Sequence, residues 1–461
     1  MKYPEANGKS PGYARRLGLF SGTMVVIGGI IGAGIFLNPA IVAQRVRTPT
    51  LTLAVWVLGG LIALAGAFCF GELGNRKPRA GGGYVYLRDA YGALPAFLYG
   101  WALLLVMATG AIAAVAVTFA RYFGALLGLP AGTVLPIAVA AIAVLSTVNY
   151  LGVKPGAVTQ NVFTLLKLAA LALLIAAGLM LRMRIGAAPS PAPVAPPHVV
   201  LAVGAALVPV MFAIGGWQQS NFIAEEMIDV ERNLPRALVI GVTVVVAVYL
   251  LANVTYLRTL GAPGLAASEA PAADAMRGVL GAGGASVIAA GIALSTFGFL
   301  NLVILVSPRV YQAMAADGAF FPRLAKLHPR YRTPAAAIVF QGAWATMLTL
   351  SGTYGQLLDY VVFGDWIFFG LVVSTLFVYR RREAAAARTE GEPAAAPGLA
   401  SVPVYRACGY PWTPALFVLA ALYVVGSSVA SNPRNAAIGA GLLTLGVPVF
   451  LFWRARSVRA G

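Results

Sequence analysis

The chain has 461 residues, of which 59% are hydrophobic and only 10% charged, and its formal net charge is +18. A soluble globular domain carries roughly 25% charge, so this composition, with a mean hydropathy of +0.82, argues against a soluble enzyme or binding module and for a membrane protein. The basic excess does not read as a nucleic-acid surface, because Lys and Arg are spread over many short loops with no basic-aromatic domain.

Polar or Pro/Gly-rich breaks divide the chain into twelve apolar segments, at 17–44, 49–74, 93–123, 133–150, 155–181, 199–228, 234–257, 283–316, 334–350, 354–379, 412–430 and 433–453. A helix needs about 20 apolar residues to cross a bilayer, and no short cleavable leader is read ahead of the first segment. The expectation is an all-α polytopic membrane protein with twelve transmembrane helices. A tail at 1–16 precedes five spans at 17–181, and a Pro/Ala-rich linker, 182–198, leads to five more at 199–379. A low-complexity linker at 380–411, two accessory helices at 412–453 and a tail at 454–461 complete the chain. With the N-terminus inside, 24 of the 33 Lys and Arg residues fall in inward-facing tails and loops. That bias predicts cytoplasmic N- and C-termini, and the basic surface is suited to anionic membrane lipids. Cys69 and Cys408 are too few and too far apart for a disulfide framework and read as free thiols.

The first segment contains "GGIIGAGIFLNP" (28–39), four glycines and a proline in an otherwise apolar run. Glycine lowers helix propensity and permits close backbone approach, so two readings stand: a helix broken inside the membrane, or a small-residue packing face. In hydrocarbon, a break must be buried in protein or line a cavity, and its half-helix ends can receive an anion and a cation. Farther along, Lys167 lies in the fifth segment, roughly 18 to 20 Å from either helix end. Its stem reaches only about 6 Å, so snorkelling cannot carry the charge to water. Lys167 is therefore either a structural donor to exposed backbone carbonyls or a group that couples or stabilises a binding site. A second interruption, Pro209 and Gly215–Gly216 in the sixth segment, favours the broken-helix reading. Interrupted segments at corresponding positions of two halves point to an inverted-repeat transporter with its site between them.

Several motifs then carry a resemblance: "IIGAGIF" (30–36), "RAGGGYVYLRDAYG" (79–92), "FAIGGWQQSNFIAEEM" (212–227), "ERNLPRA" (231–237) and "SPRVYQAMAADGAFFP" (307–322). Together they resemble the amino acid–polyamine–organocation superfamily, and within it the L-type amino acid transporter family, from about residue 15 to 375. The resemblance implies a LeuT-like 5+5 inverted repeat plus two C-terminal helices. It also implies sodium-independent movement of L-amino acids across the cytoplasmic membrane, commonly by exchange (antiport) of a substrate for a counter-substrate. By the same resemblance, the substrate carboxylate is held at the unwound part of the first span, Ile31, Gly32, Ala33, Gly34 and Ile35. The amino group is held by backbone carbonyls of Ile31 and of the stretch Phe212, Ala213, Ile214 and Gly215. Phe212 matches an aromatic that covers the substrate. Lys167 matches a lysine that occupies the place of a sodium ion, with Ser295 of the eighth span as a neighbouring group.

Ala33 departs from the family's common Gly-Ser-Gly and leaves the carboxylate to backbone N–H groups. The turn "LGLPAGT" (127–133) lacks the cysteine by which animal members attach a partner, so no disulfide-linked subunit is expected. No acidic residue stands in 28–36 or 208–219, which points to neutral substrates. Glu72, Glu225, Glu226 and Asp365 read as structural or gating groups rather than substrate contacts. A proton-coupled amino acid or polyamine symporter is the alternative function. An intramembrane enzyme is disfavoured, since His198 and His328 both fall in loops; no catalytic residue, metal or cofactor is expected.

Overall fold

The computed structural model describes residues 12–181, 196–352, 354–389, 405–431 and 433–459. Most of the expected N-terminal tail and the linker at 182–198, and residues 390–404 of the linker at 380–411, therefore lie outside the described residues. The structure is an all-α polytopic membrane protein. Among the described residues, nine helices are long and apolar enough to cross a membrane, or ten when one bent pair is counted as a single span.

That bent pair is the first segment. Helix α1 (Leu19–Ile30) and α2 (Gly34–Val46) meet at 44°. The interruption is Ile31–Ala33, shorter than the expected Ile31–Ile35, because Gly34 and Ile35 already form the first turn of α2. Helix α3 (Pro49–Arg76) starts where Thr48 accepts from the Leu51 N–H at 3.3 Å and Pro49 occupies the first helical position, a start that needs no N–H from the proline. The short α4 (Gly83–Tyr91) leads into α5 (Ala93–Ala102), a π-helical segment Leu103–Met107, and α6 (Ala108–Leu126). These are followed by α7 (Val134–Tyr150), α8 (Val153–Met180) and α9 (Val199–Ile214).

Pro209 does not break α9, although its residue type suggested that it could. The interruption falls at Gly215–Gly216, and a 3₁₀ helix, Trp217–Glu226, completes the segment. Helix α10 (Val230–Ala267) outruns its expected bounds and turns sharply at Gly261, with φ +67°. After α11 (Pro271–Leu280), the expected single segment 283–316 divides into α12 (Ala282–Val306) and α13 (Pro308–Ala316); Pro308 cannot continue the backbone ladder of α12. Helices α14 (Ala335–Leu350), α15 (Tyr354–Thr389), α16 (Trp412–Ser431) and α17 (Pro433–Arg459) finish the fold. Helix α15 carries on ten residues past 379, so the linker expected from 380 begins as helix.

Packing is arranged for lipid outside and polar groups inside. Leu61, Leu165, Leu251 and Leu419 are exposed on the outer faces of α3, α8, α10 and α16, where hydrocarbon replaces water. Inside, Asn149 donates to Asn301 Oδ1 at 3.0 Å, and Asn301 donates to Gln160 Oε1 at 3.0 Å and the Gly156 carbonyl at 3.1 Å. Gln160 donates to Thr164 at 3.2 Å, and Thr164 to the Met24 carbonyl at 3.2 Å. This buried ladder ties α7, α8 and α12 to α1. Glu72, as expected of a structural group, is a hub: it accepts from Arg76 at 2.8 Å, Arg380 at 2.6 Å and the Ala407 N–H at 2.7 Å. Glu226 pairs with Arg309 at 2.7 Å, both side chains buried. The Glu226 carbonyl also accepts the N–H groups of Arg16 and Leu17 at 2.9 and 3.0 Å. Cys69 and Cys408 are free.

The two interruptions touch through their main chains. Gly216 has φ +106°, and a Cβ there would collide with the Gly29 carbonyl oxygen; a Cβ on Gly29 would stand 2.8 Å from the Gly216 oxygen. Gly216→Ala is expected to destabilise the fold by about 3 kcal/mol or more, from left-handed strain plus a backbone clash that cannot relax. Gly441→Ala, where nothing lies within 4 Å of the added atom, should shift stability by less than about 1 kcal/mol. Thermal unfolding of both variants in detergent compares them, and equal melting temperatures would contradict this packing.

Candidate functional site

A helix interrupted in an apolar interior leaves N–H and C=O groups that must find partners. At the first break the carbonyls are met by side chains from three other helices. The Lys167 ammonium of α8 donates to the Ile31 carbonyl at 2.7 Å and the Gly28 carbonyl at 3.1 Å. Ser295 of α12 donates to the Ile31 and Gly32 carbonyls at 3.3 and 3.2 Å. Tyr249 of α10 donates to the Ile30 carbonyl at 3.2 Å, and Tyr256, two turns on, to the Ile35 carbonyl at 3.2 Å. The Tyr249 hydroxyl also stands 3.4 Å from the Ala213 carbonyl at the end of α9. One phenol thereby bridges the two interrupted segments.

The N–H side is left open. The N-terminus of α2 has no side-chain cap, and Gly32, Ala33 and Gly34 face a cavity. The C-terminus of α9 faces the same cavity with Phe212, Ala213 and Gly215. A partial positive end and a partial negative end therefore converge on one space. The cavity has a volume of ≈ 280 Å³, close to the lower end of the roughly 300–1,000 Å³ of ordinary small-molecule clefts.

The expected residues divide into three positions. Gly32, Ala33, Gly34, Phe212, Ala213 and Gly215 line the cavity, and Phe212 is 44% exposed there while most of α9's inner face is buried. Ile31, Ile35 and Ile214 bury their side chains in the core, so Ile31 takes part through its carbonyl. Lys167 and Ser295 are fully buried behind the first break, joined to it by the hydrogen bonds above.

Other lining residues escaped the sequence reading. Tyr99 and Met107 come from the third apolar segment, Phe299 from α12 and Trp366 from α15, beside Asp365, which the sequence reading had singled out only as a structural or gating group. The π segment sets the third wall: Leu103 and Met107 face the cavity, and Thr109 donates to the Leu104 carbonyl at 2.6 Å. Trp344 donates to the Leu105 carbonyl at 3.2 Å. Such π turns are frequent at functional sites, but "LLLVM" contains no glycine or proline to betray one. Tyr249, Asn253 and Tyr256, behind the cavity wall, escaped it too, although their helical spacing on an apolar helix is a signal that could have found them. Asp365 departs from the other three acids singled out in the sequence. Glu72 and Glu226 are ion-paired and the Glu225 carboxylate accepts the Ala80 N–H at 3.2 Å, whereas Asp365 lies well inside α15 and opens on the cavity.

A polytopic helical protein whose central cavity lies between two interrupted helices, with oppositely polarised ends aimed into it, is built as a membrane transporter. Among the described residues, no group of three or more His, Cys, Asp or Glu could hold a metal ion. The family of amino acid permeases matches residues 17–452. The chain is 34% identical to the human b(0,+)-type amino acid transporter 1 over 386 residues, covering 81% of this chain and 77% of that protein. It is 30% identical over 457 residues to the serine/threonine exchanger SteT of Bacillus subtilis (strain 168), covering 96% and 98%. To the human large neutral amino acids transporter small subunit 2 it is 31% identical over 466 residues, covering 98% and 83%. The chain belongs to the amino acid permease family, within the amino acid–polyamine–organocation superfamily, and transports amino acids across a membrane; it is not an enzyme.

Proposed function

We propose that the protein exchanges neutral L-amino acids across the cytoplasmic membrane by sodium-independent alternating access, with both termini cytoplasmic and twelve crossings arranged as a LeuT-like 5+5 inverted repeat plus two. The observation that carries this reading is the Lys167 ammonium bonded to the Gly28 and Ile31 carbonyls. A fixed cation there does for the carbonyls at the end of α1 what a bound sodium ion would do, and it cannot dissociate. Its hydrogen bonds join α8 of the first five spans to the break, and Ser295 joins α12 of the second five to the shared Ile31 carbonyl and to Gly32.

The substrate's α-carboxylate sits at the uncapped N-terminus of α2, held by backbone N–H groups of Gly32, Ala33, Gly34 and Ile35. Its α-ammonium is held by carbonyls at the C-terminus of α9, from Phe212 to Gly215, together with Ile31. Phe212 closes over the bound zwitterion. The half-charges of helix ends recognise both groups without a side-chain ion that would itself require desolvation.

Three outcomes test this. In competition for uptake into proteoliposomes, blocking either the α-amino or the α-carboxyl group of a competitor should abolish inhibition, while changes in a neutral side chain should give graded effects. Equal inhibition by an amine lacking the carboxylate would sink zwitterion recognition. Phe212→Ala should fold normally and weaken apparent affinity about tenfold, the loss of roughly 1.4 kcal/mol of apolar contact and occlusion; unchanged uptake by a well-expressed variant would rule out the lid. In sodium-free vesicles with no pH difference, counterflow should persist for the wild type and be severely impaired in Lys167→Ala. Strict dependence on sodium would defeat the fixed-cation reading, and net uphill uptake driven by inward protons would select a proton-coupled amino acid or polyamine symporter in its place.

A further inference from the structure

Asp365 is the one charged side chain among the described residues that line the cavity. It enters from α15, beside Trp366 and Phe369, which also face the space. The neighbouring wall is the third segment: α15 packs on α6 and the π segment, and the Tyr99 ring meets Phe368 of α15 edge-on at 5.1 Å. None of the ion pairs among the described residues involves Asp365. A carboxylate at membrane depth without a counter-charge is costly, and such residues mark substrate or ion pathways.

Its position relative to the two breaks decides what it could meet. The uncapped end of α2 and the carbonyl end of α9 bound the cavity on one side, while Asp365 belongs to the wall built by α15 and the third segment. A zwitterion held by those ends, as proposed above, directs its side chain away from them. Asp365 repels the α-carboxylate from its own wall and leaves the carboxylate end of the site to α2. An apolar side chain reaching that wall would leave Asp365 desolvated and unpaired. A side chain ending in an ammonium or guanidinium would supply the counter-charge that no described residue supplies.

We infer that Asp365 is a specificity-determining residue that accepts the cationic side chain of a dibasic L-amino acid, so that the cavity takes lysine-like substrates beside neutral ones. The inference rests on the zwitterion site of the proposed function and extends its substrate class. Tyr99 shares the wall. The absence of acidic residues at 28–36 and 208–219, which pointed to neutral substrates alone, reports only on the two breaks. The carboxylate that changes the expectation is brought to them from more than a hundred residues away by the packing of α15.

The matched pair L-lysine and L-norleucine, which differ by the terminal ammonium, tests it. Both are used as competitors of labelled L-alanine uptake into proteoliposomes containing the full chain, and the readout is the ratio of their half-inhibitory concentrations. Asp365→Asn, nearly isosteric, should shift that ratio against lysine by about tenfold or more, and Asp365→Glu should recover much of it. An unchanged ratio in Asp365→Asn, or wild type inhibited by norleucine and not by lysine, overturns the inference while leaving zwitterion recognition standing. Ligand-induced thermal stabilisation in detergent reads binding even where alanine is not carried. Stabilisation of wild type by lysine that is lost in Asp365→Asn, in a variant whose unliganded melting is unchanged, supports the inference; no stabilisation of wild type by lysine overturns it. Failure of norleucine and lysine alike, by uptake and by melting, defeats the zwitterion site itself.

Discussion

Two glycines set the geometry on which the rest of the molecule depends. Gly29 and Gly216 bring the main chains of the interrupted segments into contact, each occupying the space a Cβ would need on the other. Gly28 is equally constrained, since a side chain there would strike Gln160 and Thr164. At that distance the helices cannot be joined by side-chain packing, so the freed carbonyls must be reached from outside. Lys167, Ser295, Tyr249 and Tyr256 do so from α8, α12 and α10. The close crossing thus dictates which faces of three further helices are polar, and the remaining apolar faces are turned to lipid or core.

The same economy governs the ions at the ends of the spans. Arg309 and Glu226 are both buried, and Arg309 also lies 5.9 Å from the Tyr13 ring. The N-terminal segment is bound to the same place, with a parallel bridge between Leu17 and Met227 and the Ile228 N–H donating to the Leu17 carbonyl at 2.8 Å. Separating such a pair while leaving one ion dry costs about 3–5 kcal/mol. Any motion that parts the 3₁₀ helix from α13 must therefore admit water to both ions together. The N-terminal segment has to move with the 3₁₀ helix or release it, because its hydrogen bonds run to that helix's end.

How much could be read beforehand follows from the range of each signal. The breaks were legible because glycine clusters in apolar runs act locally, and Lys167 because a charge at the middle of a span is visible by counting. Their partners were less so. Whether Ser295 or Asn301 faces α1 depends on the rotation of α12, which no local pattern fixes in a helix apolar on most sides. Pro209 looked like a breaker and is absorbed: a proline inside a helix leaves the carbonyl four residues before it without its usual N–H donor, and here Arg45 of α2 donates to that carbonyl, Ala205, as tolerance of such a break in the membrane requires. Pro308, by contrast, ended α12 as its residue type demands. The π turn at Leu103–Met107 had no sequence signature at all, and Asp365 was visible as a residue but not as a wall of the site, since its direction is set by α15 against α6.

Recognition by helix ends suits a site that must also let go. A helix terminus contributes about 0.3–1 kcal/mol to a neighbouring charge, up to about 2 in favourable partly buried geometry, whereas a buried side-chain ion pair, once formed, leaves an unpaired charge behind when the ligand departs. In the proposed cycle the two ends of the zwitterion meet only backbone dipoles, and those dipoles remain hydrogen-bonded to water after release. Lys167 is placed behind the break, where its partners are carbonyls of the chain and not the cargo. The break is thereby held in shape whether or not a substrate is present. Affinity can stay modest while orientation stays strict, the combination that release of an amino acid on the far side of a membrane requires.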